Sequence, residues 1–314
     1  MLKVGTDCSG MEAPIEALKQ LRVPHEHVFS SEINKAAISW IKHNHRPTHL
    51  YGNMLERKNN ETASVDLYCA GFPCQPYSSM NAHKNTADER KTPMHVCISY
   101  IKHHRPKYFL LENVRAFVNT NEFKYLLKRL NEIPGYKIDH KVLSPIDYNC
   151  PQSRNRVFIV GRRGKRNISW PKPVILKKSV MQLLDDNTTS KNEVTPAFKR
   201  MLNTWKVPPS KKGIVEFNAV SKRFPPSMDS PIPSKHIRWA VKDDIAPCMV
   251  AHNPGHYVNH LDRLMTHSEM LKLQGFRGNI SIPHDISHPK MVKLVGNSMN
   301  VNVLKAIFHE LLQF

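Results

Sequence analysis

The chain has 314 residues, with 46 Lys and Arg against 26 Asp and Glu, and a formal net charge of +20. Hydrophobic residues at 40% supply a sizeable core and argue against wholesale disorder. No apolar run reaches eighteen residues and residues 1–8 lack an apolar signal core, so the expectation is a non-membrane, intracellular protein of cytoplasm or nucleus.

Short apolar runs alternate with amphipathic stretches over the first 160 residues, the pattern of a βαβ sheet. Strands are predicted at 2–6, 27–31, 65–70, 108–112, 136–143 and 157–161. A helix opens at Pro14 and runs to Leu21, because a missing N–H costs nothing in a first helical turn. Further helices cover 34–43, 93–103 and 121–131. The last two strands follow each other without room for a helix, so a mostly parallel, doubly wound sheet is expected to end in an antiparallel hairpin.

Composition shifts after Gly161. Residues 161–260 hold 11 of the 23 prolines, and 18 Lys and Arg against 7 Asp and Glu. Pairs such as Pro208-Pro209 and Pro225-Pro226 interrupt long elements. Trp170, Phe198, Trp205, Phe217, Phe224, Trp239 and Tyr257 are too many large aromatics for a linker, which favours a small loop-rich domain. Leu304, Ile307, Phe308 and Leu311 then follow the i, i+3, i+4, i+7 rule of a terminal amphipathic helix that packs back on the sheet.

The balance of charge suits a polyanion such as nucleic acid, through counterion release, and equally suits a solvated basic surface. Cys8, Cys69, Cys74, Cys97, Cys150 and Cys248 form no Cys-x-x-Cys pair. That spacing fits a reducing compartment and gives no zinc framework, and no metal is expected.

Three constellations carry chemistry. Gly71-Phe72-Pro73-Cys74-Gln75-Pro76-Tyr77-Ser78 follows a predicted parallel strand, and open α/β sheets bind ligands at that carboxyl edge. Cys74 there is an inert buried thiol or, if neighbouring cations activate it, a nucleophile. Glu112-Asn113-Val114 ends the strand at 108–112, where apolar Phe109, Leu110 and Leu111 desolvate the carboxyl and raise its pKa toward proton donation; a helix cap or ion-pair partner is the plainer reading. Gln152-x-Arg154-x-Arg156, if extended, places all three side chains on one face. Two guanidinium groups on one face suit phosphate or carbonyl recognition, and also a solvated edge strand.

Taken in order, these motifs resemble the cytosine 5-methyltransferase family over nearly the whole chain apart from the proline-rich insert. Gly71 to Ser78 resembles the family's Pro-Cys loop, Glu112 to Val114 its Glu-Asn-Val motif, and Gln152 to Arg156 its Gln-x-Arg-x-Arg motif. Arg263-Leu264-Met265-Thr266 through Leu273-Gln274-Gly275-Phe276 is similar to the segment bracing the recognition domain. Val295-Gly296-Asn297-Ser298 is similar to the turn closing the cofactor pocket.

The resemblance implies a Rossmann-like methyltransferase domain at 1–165 and 286–314, a target-recognition domain at 166–285, S-adenosylmethionine as methyl donor, and double-stranded DNA as the partner of a monomer. Cys74 would attack carbon 6 of a flipped cytosine, Glu112 would contact ring nitrogen 3, Arg156 the base carbonyl and Arg154 the neighbouring backbone. Cys8, Ser9, Gly10, Glu32, Ile33, Asn53, Pro73, Asn297 and Ser298 would form the cofactor pocket. Gln75, Ser78, Lys84 and Arg90 would contact nucleic acid, with 79–91 closing over the base.

The chain departs from the family's pattern on the cofactor side. Cys8 stands where Phe is usual, Glu12-Ala13 where two glycines are usual, and Asn53 where Asp is usual. Glu12 is therefore expected to place a carboxylate near the methionine end of the cofactor. A tRNA methyltransferase is the first alternative; that branch carries Cys-Phe-Thr, and no cysteine here is followed by Phe-Thr. A catalytically silent DNA-binding relative is the second.

Overall fold

The computed structural model describes residues 1–73, 92–185, 212–216, 241–242, 244–251, 256–277 and 280–312. Near-continuous apolar runs such as Leu67–Ala70 form strands buried on both faces, as parallel sheets require. Seven strands make the main sheet: β1 (Leu2–Asp7), β2 (His25–Ser31), β3 (His49–Tyr51), β4 (Leu67–Ala70), β5 (Tyr108–Val114), β6 (Tyr136–Leu143) and β7 (Arg156–Arg163). Their order is β3-β2-β1-β4-β5-β7-β6. Strands β1 to β5 pair in parallel, and β7 runs antiparallel to both β5 and β6. The expected doubly wound sheet ending in an antiparallel hairpin is therefore present, with β3 as a strand the sequence reading omits.

Local chemistry starts the helices. Pro14 opens α1 (Ala13–Gln20), Asn34 Oδ1 accepts from the Ala36 and Ala37 N–H groups ahead of α2 (Lys35–Asn44), Pro93 opens α3 (Pro93–His104), and the Thr120 hydroxyl caps α4 (Asn121–Asn131). Phe29, Tyr68, Tyr100 and Phe109 fill one side of the sheet, and each is fully buried.

Strand order reverses between β1 and β4, where Asp7 lies opposite Ala70. The turn after β1 and the segment Gly71–Pro73 after β4 thus leave the sheet side by side, at the switch point where open α/β sheets take ligands.

The chain divides into two compact units. The first comprises Met1–Ser144, Asn155–Pro173 and Met299–Phe314. Its final helix (Val301–Leu312, labelled α7 below) packs on α1, and Lys305 Nζ donates to Gln20 Oε1 at 3.1 Å. The second comprises Pro145–Arg154 and Val174–Ser298. It contains β8 (Ile214–Glu216), β9 (Val241–Lys242), β10 (His256–Val258), β11 (Arg263–Leu264), α5 (His267–Leu273) and α6 (His288–Asn297). These four strands form an antiparallel sheet in the order β11-β10-β8-β9. Residues 145–154 and 286–298 fall in this unit and 166–173 in the first, a partition that differs from the division expected at 165/166 and 285/286.

Within the second unit, Glu269 is completely buried. Burial alone would raise its carboxyl pKa, yet Arg263 donates to it at 2.8 and 2.7 Å and the Asp185 and Thr266 N–H groups add to that, so the pKa is lowered. This ion pair joins β11 to α5 across the capping box that Thr266 and Glu269 form.

Candidate active site

The turn after β1 is the first wall of the site. Cys8, Gly10 and Glu12 all adopt left-handed backbone, with φ of 50°, 53° and 58°. Ser9 ties the turn to β2: its N–H donates to Ser31 O at 3.1 Å, and its hydroxyl accepts from the Ser31 N–H at 3.0 Å. Glu32, one residue past β2, accepts from Gly10 N at 2.8 Å through Oε2, and from Ile33 N at 2.9 Å and Asn34 N at 2.8 Å through Oε1. A carboxylate has about four acceptor positions, so Glu32 retains capacity for a ligand's hydroxyls. Beside it Ile33 is 71% exposed, an aliphatic face in a place where packing gives no reason for one. Asn53 follows β3; its Oδ1 accepts from Leu55 N at 3.1 Å and its Nδ2 donates to Glu56.

Glu12 corrects an expectation. Its carboxylate turns inward, fully buried, and Oε1 accepts from the Thr6 hydroxyl at 2.7 Å and the Ser30 hydroxyl at 2.5 Å, with His27 Nε2 at 3.4 Å. Burial works to raise its pKa, but His27 and these hydrogen bonds prevail and lower it. The carboxylate expected beside the cofactor is instead part of the core between β1 and β2. The Cys8 thiol donates to Met54 Sδ at 3.6 Å.

Behind this turn sits Arg57, a residue the sequence reading leaves unremarked. It forms a two-pronged pair with Asp7, Nη1 to Oδ1 at 2.8 Å and Nη2 to Oδ2 at 2.7 Å, and it also donates to the Ser31 hydroxyl. Its guanidinium carbon lies 5.2 Å from the ring centre of Phe29, 5.4 Å from Tyr51 and 5.7 Å from Tyr100. Tyr68 donates a further hydrogen bond to Asp7 at 2.7 Å. The last residue of β1 and the last of β2 are thereby fixed to one cation. No sequence signal marks Arg57, since a single arginine in a polar segment reads as a surface charge.

The second wall is the end of β5. Gly71 lies beside it, and a Cβ on Gly71 would come within 3.4 Å of Glu112 Oε2 and 2.9 Å of Met299 Cε, so only glycine fits without displacement. Asn113 Nδ2 donates to Phe72 O at 3.1 Å, and the Phe72 and Phe117 rings meet edge-on at 5.6 Å. The segment leading to Cys74 is thus held against the Glu112 end of β5. On the other side Arg156, opposite Val114 in the register, reaches Glu112 diagonally with Nε 3.3 Å from Oε1. Both side chains keep partial exposure, 11% for Glu112 and 17% for Arg156.

Gln152, Arg154 and Arg156 do not share a face. Arg156 begins β7 and meets Glu112, whereas Gln152 and Arg154 are buried in the second unit. There Gln152 makes only an isolated bridge, with Ala246. Its Nε2 donates to Leu273 O and Gln274 Oε1, both at 3.0 Å, and Gln274 Nε2 passes the network on to Val295 O and Ser298 O, both at 2.9 Å. Arg154 donates to Met249 O at 2.7 Å, Gly296 O at 2.9 Å and Ser298 O at 2.8 Å. The expected grip of Arg154 on substrate backbone gives way to a bracing arrangement inside this unit. The strings 273–276 and 295–298 therefore share a physical cause: three buried side chains converge on their carbonyls. Gly296 is required there, because a Cβ would lie 2.4 Å from the backbone of Val250 and Ala251.

Within the first unit the structure brings Cys8, Ser9, Gly10, Glu32, Ile33, Asn53 and the exposed Pro73 to the carboxyl ends of β1 to β4. Asn297 is exposed at the end of α6, and Ser298 is buried after it, both in the second unit. Cys74, Gln75, Ser78, Lys84 and Arg90 lie outside the described residues. Burial raises the thiol pKa of Cys8 and Cys69 well above the ordinary range and that of Cys97 to about 12, so none of these three supplies a thiolate.

A mixed seven-stranded sheet in this order, with an acidic residue after β2 and a glycine-containing turn after β1, defines a Rossmann-like methyltransferase fold. Solved structures share it: a DNMT2 variant of Spodoptera frugiperda superposes with a TM-score of 0.71 at 19% identity, covering 100% of both chains. The S. pombe Dnmt2 methyltransferase gives 0.67 at 21% identity, again over 100% of both chains. Residues 6–313 match the family model for C-5 cytosine-specific DNA methylase, and the chain belongs to that family. Its curated relatives include the Type II methyltransferase M.HaeII of Haemophilus aegyptius, 31% identical over 294 residues, covering 90% of this chain and 84% of the relative. The Type II methyltransferase M.DsaV of Dactylococcopsis salina is 29% identical over 312 residues, covering 94% and 83%. Membership makes the chain a DNA cytosine-5 methyltransferase by family. Among its described residues no helix is long and apolar enough to cross a membrane.

Proposed function

We propose that the chain methylates carbon 5 of a flipped cytosine in duplex DNA through a covalent Cys74 adduct, with S-adenosylmethionine as donor. One observation carries the reading: the Glu112 carboxylate stands beside the glycine root of the Cys74 loop and is paired on its other side with Arg156. Cys74, as thiolate, attacks carbon 6 of the base. Glu112, placed at ring nitrogen 3, offsets the charge that develops there, and Arg156 holds the base carbonyl while fixing the carboxylate's orientation. Carbon 5 becomes nucleophilic, takes the methyl group and then loses its proton, which releases Cys74. A stacked base cannot reach these groups, so flipping it costs a few kcal/mol.

The donor fits the residues present. Glu32, with capacity beyond its three backbone amides, suits ribose hydroxyls; Ile33 offers an aliphatic face to adenine, and Asn53 an amide oxygen to its amino group. The inward turn of Glu12 leaves no carboxylate intruding at the turn's surface. S-adenosylmethionine bound there supplies an electrophilic methyl group. Arg154 acts by holding the second unit's segments in place, and the basic stretch 166–285 reads the target sequence in the major groove.

Transfer of labelled methyl groups to duplex DNA tests the proposal. Wild type incorporates label, Cys74→Ala does not, and only wild type is trapped covalently on DNA containing 5-fluorocytosine. Equal incorporation by Cys74→Ala refutes the assigned nucleophile, and methylation of RNA with none on DNA refutes the substrate.

A further inference from the structure

The end of the sheet remote from Glu112 carries a concentration of charge that the catalytic reading does not use. Two segments of the first unit meet there. Lys102, Arg105 and Lys107 lie at the corner between α3 and β5; Arg162, Arg163 and Lys165 end β7 and begin the following turn. Backbone hydrogen bonds join them to each other and to the turn before β6: Arg163 N–H to Lys107 O at 2.9 Å, and Gly164 N–H to Gly135 O at 2.8 Å. Neither 102–107 nor 162–165 contains an acidic residue, and Lys137 on β6, opposite Arg162, adds a seventh cation.

Three acidic groups flank these cations, and among the described residues only Glu132 has a cationic partner, so the surface keeps a positive balance. Glu132 pairs with Arg129, Asp66 accepts from Lys3 N at 2.9 Å, and Asp139 accepts from Trp170 Nε1 at 2.8 Å. Several cationic heads are also held in place. Lys107 Nζ lies 5.3 Å and the Arg162 guanidinium 5.8 Å from the centre of the Tyr108 ring, and Arg105 lies 5.5 Å from that of Tyr136 while donating to Pro134 O. Aromatic anchoring reduces the side-chain freedom that a bound anion would otherwise have to remove.

We propose that this face is a second polyanion-binding surface that takes the phosphate backbone of another duplex DNA segment. Arg163 lies seven residues along β7 from Arg156, about 23 Å at 3.3 Å per residue. A duplex whose axis crosses the catalytic edge of the sheet, rather than running along β7, does not fold back to the opposite edge, because its persistence length is about 150 base pairs. The far surface therefore engages a separate segment, and one molecule touches two stretches of DNA at once. The inference rests on duplex DNA being the substrate.

Lys107, Arg163 and Lys165 are exposed, so Lys107→Ala/Arg163→Ala/Lys165→Ala tests the surface with little risk to folding. Protein saturated with a short duplex carrying the target site is titrated with a fluorescent duplex that lacks it, over a range of salt. Wild type binds the second duplex; the triple variant binds it at least tenfold more weakly, and its log–log salt slope is shallower by about 2.7, at about 0.9 per lost phosphate contact. Both proteins methylate the short duplex with kcat and KM within twofold. Arg163→Glu/Lys165→Glu, which retains Lys107, gives the same ordering. A wild type that binds one duplex only, or equal slopes for wild type and variants, overturns the proposal, as does binding of polyglutamate with none of the second duplex. Failure of wild type to methylate the short duplex would instead strike the substrate reading.

Discussion

The two walls of the site are built differently. On the donor side, between β1 and β2, backbone and side chains hold one another: Ser9 clasps Ser31, Arg57 clasps Asp7, and Glu32 accepts from three amides. On the base side the chemistry rests on a half-open pair, Glu112 with Arg156, at 3.3 Å. In the proposed function the donor wall is thus preformed for a ligand whose shape does not change between encounters. The base wall keeps a carboxylate and a guanidinium mostly buried but reachable, and in the proposed function an incoming base exchanges their mutual contact for its own hydrogen bonds. Preorganisation of that kind favours binding in the first case and charge stabilisation in the second.

Substitutions separate the two walls, and the largest effect belongs to the base side. Glu112→Gln keeps the shape and removes the charge; kcat for methyl transfer falls about 10²–10³-fold, as for loss of one electrostatic partner in a transition state, while the melting temperature holds. The donor wall shows the reverse. Arg57→Met leaves Asp7 buried without its cation and lowers unfolding stability by about 3–5 kcal/mol in urea titrations, with weaker donor binding in calorimetry. If Arg57→Met changed kcat alone, the preformed-wall interpretation would be wrong.

A smaller effect is expected at Gly296→Ala. The added methyl meets the backbone of residues 250 and 251, so overpacking costs about 1–3 kcal/mol within the second unit, measured by the same titration. The gentlest probe is pH. Burial pushes the His45 pKa down to about 3, against the opposing pull of Glu12, and the Glu12 pKa is itself lowered. Between about pH 3 and 6.5 the unfolded chain binds a proton at His45 that the folded chain does not, so stability rises with pH across that window. Glu12 adds to the loss below its ordinary pKa near 4.5. A His45→Asn variant should show a shallower rise between pH 4 and 6.5 in thermal melts; an unchanged slope would mean that His45 titrates freely.

Much of the first unit was legible because its elements are set by local pattern. Residues 136–143 and 121–131 form a strand and a helix with the predicted bounds, the first running into a second strand with no room for a helix between, the second capped by the Thr120 hydroxyl. The three-residue β3 carries too little pattern to read, since its place depends on pairing with β2. In the second unit the strands have two or three residues each, and buried contacts distant in sequence, Gln152 to Gln274 and Arg154 to Gly296, do the organising. The alternation rule failed at 152–156 for the same reason: it assumes an extended ladder, and Gln152 has only one bridge. Among site residues, Glu112 could be read because it follows the apolar run Phe109–Leu111 and Glu32 because it follows a strand, while Arg57 could not, because its hydrogen-bond partners lie 26 to 50 positions away.

Glu12 leaves the chain with two requirements in conflict. Its backbone is left-handed, a conformation that glycine adopts at little cost, so on backbone grounds alone glycine would be the easier occupant. Its carboxylate, however, is the acceptor on which the Thr6 and Ser30 hydroxyls and the His27 ring converge. Replacement by glycine relieves the torsion and removes the acceptor these groups share; Thr6 keeps Ser9 Oγ at 2.7 Å and Ser30 keeps His27 Nε2 at 3.0 Å, while the buried carboxylate's own hydrogen bonds are lost, at about 0.5–1.5 kcal/mol each. Glu12 in the turn, Thr6 on β1, and His27 and Ser30 on β2 therefore form one coupled cluster, in which the cost of a substitution at one position depends on the other three.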